Sequence, residues 1–220
     1  MTVGLTTIRI FLLAGLLTLA KFACAGALES KAAMLSQQFS DARWAETATD
    51  RVPDGDPDYP RVARIAKQLA VAFAAKYGDR EWTLRLIKTG TEPAAALPGN
   101  RIVVLKRAID LWTDDALAFV LAHEMGHLAL GHYTLRFERL LTLAAADGQP
   151  VAKWQDCAPY AAGLPNFKRS QELEADDFGI QLATAAGFDG NKGLIEALAF
   201  TQDDGNHPLR AERMQRAERY

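Results

Sequence analysis

The chain has 220 residues, of which 49% are hydrophobic and 24% charged, and its formal net charge is −2. That length suits one domain of about 100–150 residues or somewhat more, with a processed leader, rather than two domains. So small a net charge creates no global field that would draw nucleic acid, and nucleic acid is excluded as an expected partner.

The leader comes first. Arg9 precedes an apolar run from Ile10 to Ala20, and Ala23-Cys24-Ala25 follows with the small residues of an A-x-A cleavage site. This pattern reads as a secretory signal peptide over residues 1–25. Arg9 and Lys21 bracket only eleven residues, against the roughly 20 that a membrane-spanning helix needs. A retained leader, the alternative, would anchor the chain N-terminally and associate it peripherally with a membrane. Lipidation at Cys24 ranks below both, because Lys21 stands where such sites want an aliphatic residue. With cleavage after Ala25 only Cys157 survives, so no intramolecular disulfide forms. Residues 26–220 are then expected to be one exported domain, periplasmic or secreted, that depends on its core and any bound metal.

Residues 28–49 read as one amphipathic helix, and the breaker-rich "RVPDGDPDYP" at 51–60 as a loop. Ile65, Ala66, Leu69, Phe73 and Tyr77 recur at three and four, which predicts a helix over 61–77 ended by Gly78. The period then changes. "WTLRLIK" at 82–88 alternates, "LPGN" at 97–100 is a turn, and "RIVVLK" at 101–106 is β-branched, so a small antiparallel sheet is expected. Thr113 before Asp114 and Asp115 marks a helix start, with a hydroxyl cap and acidic groups at the positive end of the dipole. That helix is expected to run to Gly131, with others at 135–146, 168–186, 191–201 and 208–219. The fold class expected is α+β, mainly helical with one small sheet. Residues 147–166 form a long breaker-rich loop that either covers a site or simply connects two helices.

His123, Glu124 and His127 spell H-E-x-x-H inside the helix that Thr113 starts. Imidazoles four residues apart lie one above the other, with Cβ atoms about 5–6 Å apart, and can converge on one Zn²⁺ at about 2.0–2.1 Å. Glu124 is turned by about 100° from His123. It therefore stands beside the metal, where it can hold and deprotonate a water. The bland alternative is two solvated histidines and a chance glutamate. Apolar flanks argue against it, since burying unpaired charge costs roughly several kcal/mol whereas a cation supplies the partner. One zinc ion per chain is expected.

A catalytic zinc takes three protein ligands and leaves a position open. The extended pattern H-E-x-x-H-x-x-G-x-x-H fails here, because the chain has Leu130 and Tyr133 where it needs glycine and histidine. His132 is instead expected to be a helix C-terminal residue whose charge suits the dipole. Glu172 and Asp176 are four apart on one helical face, and Gly179 and Ala183 continue that face in small residues. Two readings stand for them. Glu172 is the third ligand and Asp176 accepts the free N–H of a zinc histidine, or both belong to a solvated acidic face with Glu174 and Asp177.

These stretches resemble a known family. "HEMGH" followed by "RSQELEAD" is similar to the H-E-x-x-H and S-R-x-x-E-x-x-A-D pair of the HtpX-like and CAAX-prenyl-protease-like zinc metallopeptidases, which are gluzincins. The match holds at Glu172, Ala175 and Asp176, with Arg169 and Ser170 in exchanged order. Upstream, "EPAAALPGNRIVVLKRAIDLWTDDALAFVLAHEMGH" resembles the family's strand, turn, strand and active-site helix, with Pro93-Ala94-Ala95 in place of its usual N-A-F. Downstream, "HPLRAERM" resembles its H-P-x-x-x-x-R segment at His207, Pro208 and Arg213. The likeness covers residues 90–214. It implies Glu172 rather than Glu174 as third ligand, Glu124 as general base, and His207 near the metal, stabilising an oxyanion or gating the site. Read from the residues alone, His207 equally well just precedes a helix that Pro208 starts.

The resemblance implies a zinc-dependent metalloendopeptidase acting on peptide bonds of exported or envelope proteins. The strand at 101–106 is expected to pair with an extended substrate. The rival reading is a catalytically silent, zinc-containing periplasmic chaperone or binding module on the same fold, and a purely structural metal is a third.

Overall fold

The computed structural model describes residues 6–90, 92–199 and 210–217, with the backbone alone for residues 6–25. Helix α1 (Thr6–Glu46) contains most of the helix expected at 28–49. The side chains of the expected leader lie outside the described residues. Among the described residues no helix is long and apolar enough to cross a membrane. Helix α2 (Tyr59–Tyr77) buries Val62, Ile65, Leu69 and Phe73, while of the expected stripe Ala66 is half-buried and Tyr77, at the last turn, is exposed.

Strands β1 (Thr83–Ile87), β2 (Ala94–Leu97) and β3 (Arg101–Leu105) form one sheet in the order β1-β3-β2. β2 and β3 are an antiparallel hairpin, turned by Pro98, Gly99 and Asn100 with φ of 85° at Gly99 and 56° at Asn100. β1, however, pairs with β3 in parallel, so the sheet is mixed where an antiparallel one was expected. The reason is burial. β3 is buried from Ile102 to Leu105 and takes the centre, and the chain leaving Ile87 passes the C-terminal end of β3 to start β2 on its far side.

After the single turn α3 (Lys106–Ile109), the Thr113 hydroxyl accepts from Ala116 N and opens α4 (Asp114–Ala129). Helix α4 buries Leu117, Phe119, Leu121 and Met125 around its circumference, as a helix apolar on all sides must. It is the central element. Helices α5 (His132–Ala146) and α6 (Ala158–Ala161) follow, then α7 (Arg169–Ala185), α8 (Gly190–Ala199) and α9 (Arg210–Ala217).

The most extensive helix packing is that of α4 on α7, with α8 on another side of α4. Gly179 permits the close approach: a Cβ there would lie 3.0 Å from the Phe119 ring and 3.1 Å from His123 N. Among the described residues apolar side chains gather in three clusters, between the sheet and α2, α4 and α7, between α1 and α5, and around α8. Arg61 ties α2 to the start of α4 through Asp114 and the carbonyls of Ile109 and Trp112.

Candidate metal centre

Helix α4 turns His123 and His127 toward α7, which presents Glu172 from its first turn. His123 Nε2 lies 3.1 Å from His127 Nε2 and 3.5 Å from Glu172 Oε2, and His127 Nε2 is 3.8 Å from the same oxygen. A tetrahedral ion at about 2.0–2.1 Å from its ligands sets them roughly 3.3–3.4 Å apart, so this triangle matches the face of such a site. All three residues are buried. Burial alone would push His123 down, but hydrogen bonds with Asp176 and Glu172 carry it up to about 10. The surroundings therefore favour positive charge, which suits a cation held by two imidazoles and a carboxylate.

Each histidine has a partner behind it. His123 Nδ1 is 3.0 Å from Asp176 Oδ1, and Asp176 is wholly buried. Arg213 of α9 grips the same carboxylate with Nε at 2.8 Å and Nη2 at 2.6 Å. Burial would raise Asp176, yet His123 and Arg213 together hold it below the usual carboxylate range. The acidic segment thus divides in two: Glu172 and Asp176 face inward, whereas Glu174 is 57% exposed and Asp177 pairs with Arg216.

His127 Nδ1 lies 2.9 Å from His132 Nδ1. The structure corrects the expectation for His132. α4 stops at Ala129 with Leu130 as its cap, Gly131 at φ 69° redirects the chain, and His132 opens α5 instead of closing α4. Burial, with only 1% of the residue exposed, lowers its pKa, and its place is the interior at the start of α5 and not the C-terminus of α4. A spacing of five from His127 is not one that a single helix brings together, which is why sequence reasoning missed the contact.

Glu124 is half-buried and stands outside the triangle, its Oε2 accepting from Ala96 N at 2.8 Å. A cleft of about 130 Å³ opens here, lined among others by Glu92, Ala94, Tyr133, Asn166 and Phe167. The expected role of the strand at 101–106 is also corrected. β3 has neighbours on both edges, while among the described residues β2 has a strand, β3, on one edge only. Leu105 N donates to Pro93 O, so by alternation Ala95 and Leu97 face β3, and Ala94 and Ala96 turn their backbone groups outward.

Phe167 stacks on His127 with centroids 4.0 Å apart and planes 19° apart, and meets Tyr133 edge-on. The loop expected at 147–166 contains a 3-10 turn (Trp154–Cys157) and α6, and its end brings Leu164 and Asn166 to the cleft. Phe167 and Tyr133 gave no signal in sequence beyond being aromatic. His207 lies outside the described residues.

Residues 58–220 match the family described as Peptidase family M48. The chain is 29% identical over 189 residues to the mitochondrial metalloendopeptidase OMA1 of Schizosaccharomyces pombe, which covers 77% of this chain and 55% of that protein. It is 29% identical over 174 residues to the metalloprotease YcaL of Escherichia coli, covering 70% and 66%. With the metalloprotease LoiP of the same organism the identity is 31% over 140 residues, covering 56% of each. The aligned part spans from about half to two-thirds of the length of these curated relatives.

Proposed function

Because this chain belongs to Peptidase family M48, we propose that it is a zinc-dependent metalloendopeptidase in which His123, His127 and Glu172 hold one zinc ion. The convergence of those three buried groups on one point carries the reading. The names of the aligned relatives, metalloendopeptidase and metalloprotease, support it.

When bound, zinc supplies Lewis acidity, lowering the pKa of water toward about 7 and polarising a peptide carbonyl. The protein's own residues do the rest. Glu124 takes a proton from the attacking water on its carboxylate and returns it to the departing amine nitrogen, so that the carboxylate ends as it began. Asp176 holds the Nδ1 proton of His123 and thereby leaves Nε2 for the metal. The outward backbone groups of β2 at Ala94 and the Ala96 carbonyl pair with an extended peptide, and the Ala96 N–H, whose hydrogen bond Glu124 Oε2 already accepts, sets the scissile bond beside that carboxylate.

The leader pattern supports export, with residues 26–220 as the mature domain and exported or envelope proteins as substrates. His207, from its place in the H-P-x-x-x-x-R segment, is proposed to act near the metal. Casein cleavage tests the reading. Glu124→Ala is expected to retain one zinc per chain and to lose at least about a hundredfold in rate, while His127→Ala loses both. Cleavage at the wild-type rate by Glu124→Ala would remove the mechanism. Zinc-loaded wild type without chelator-sensitive cleavage would favour the silent chaperone instead.

A further inference from the structure

We propose that His132 is a positioning residue for His127: a neutral hydrogen-bond acceptor that fixes which nitrogen of His127 faces the metal. The inference rests on the zinc reading above. A neutral imidazole carries one proton. His127 points Nε2 at His123 Nε2 and Glu172, so with that lone pair engaged by zinc its proton sits on Nδ1.

That nitrogen is 2.9 Å from His132 Nδ1, and both rings are buried, at 2% and 1% exposure. Two N–H groups cannot share such a contact. His132 Nδ1 must accept, which places the His132 proton on Nε2, the nitrogen aimed at Glu174 Oε2 across a long 3.4 Å. The chain of donors therefore has one direction, from His127 through His132 toward an exposed carboxylate. On the other ligand a buried carboxylate does the same task directly, with Arg213 neutralising it. Behind His127 the partner is an imidazole instead, and an uncharged acceptor orients the ring without burying another negative charge. Phe167, stacked on His127 at 4.0 Å, fixes the plane of the ring while His132 fixes its tautomer.

The test is zinc affinity, measured by chelator competition on wild type, His132→Phe and His132→Asn. Phenylalanine keeps most of the volume and offers no acceptor, whereas asparagine is smaller but can place an oxygen near the Nδ1 position. Positioning predicts that His132→Phe weakens zinc about ten- to a hundredfold and that His132→Asn recovers most of the loss. A packing role predicts the reverse order, and the reverse order or three equal affinities would overturn the proposal. Melting of the zinc-free forms verifies that each variant folds.

Should the phenylalanine variant not fold, NMR of the zinc-loaded wild type decides. The proposal expects a through-hydrogen-bond coupling between the two Nδ1 atoms, with His132 protonated at Nε2. Protonation of His132 at Nδ1 would overturn it. Wild type that binds no zinc would defeat the metal reading itself, whereas tight binding by wild type and equal binding by all variants defeats only the role of His132.

Discussion

Two positions along a helix amount to a rotation of about 200°, enough to send neighbouring acids to opposite surroundings. Glu172 is 3% exposed beside both histidines, and the Glu174 side chain is 57% exposed. Zinc binding should follow that split. Glu172→Ala is expected to lose the metal, and Glu174→Ala to keep it within a few-fold, as zinc content after dialysis will show. Retention by the first and loss by the second would exchange their roles. At this level the residue types and spacing of His123, Glu124 and His127 were legible, because a four-residue spacing on one helix dictates proximity. The inward turn of Glu172 was legible only through the family resemblance, since by itself an acidic run reads the same whether it faces a neighbour or water. His132 was illegible for another reason: its contact depends on the redirection at Gly131, which no helical period encodes.

Between elements, the distance from α4 to α7 sets whether a carboxylate on one reaches imidazoles on the other. Gly179 sits against the His123 backbone, so Gly179→Ala must push the helices apart, at about 1–3 kcal/mol of overpacking. The expected result is a lower melting temperature together with weaker zinc binding. Equal zinc affinity in a destabilised variant would separate the two effects and contradict the link.

The join of α2 to α4 makes a second prediction. Burial raises Asp114, but hydrogen bonds from Arg61 and Arg64 outweigh it and hold the carboxylate below its usual value of 3.8. A depressed folded pKa gives stability that is present above the unfolded value and fades as pH falls through the folded one. With the side chain 42% exposed, that contribution is roughly 1 kcal/mol or less. Urea titrations of wild type and Asp114→Asn should differ by a constant amount above about pH 5 and converge below about pH 4. A gap that widens in acid would have the wrong sign. Helices announced themselves in sequence through caps and stripes, and the Pro98-Gly99-Asn100 turn announced the hairpin. Strand order did not, because pairing β1 in parallel depends on β3 being the most buried strand, a property of the assembled layers.

For the whole molecule, α4, α7 and α9 are joined in series, zinc bridging the first two in the proposed state and Arg213 with Asp176 locking the last. A ligand that binds only the folded form adds about 2.7 kcal/mol at a hundred times its Kd. For a chain of this size each kcal/mol is worth about 2–4 °C. Chelation should therefore lower the melting temperature by several degrees in wild type and leave Glu172→Ala unmoved. The deciding quantity is zinc per chain, measured side by side on purified wild type and Glu172→Ala. One equivalent in wild type and none in the variant is the predicted result. A full equivalent in both, or none in wild type, would contradict the three-residue metal centre on which the proposed peptidase chemistry rests.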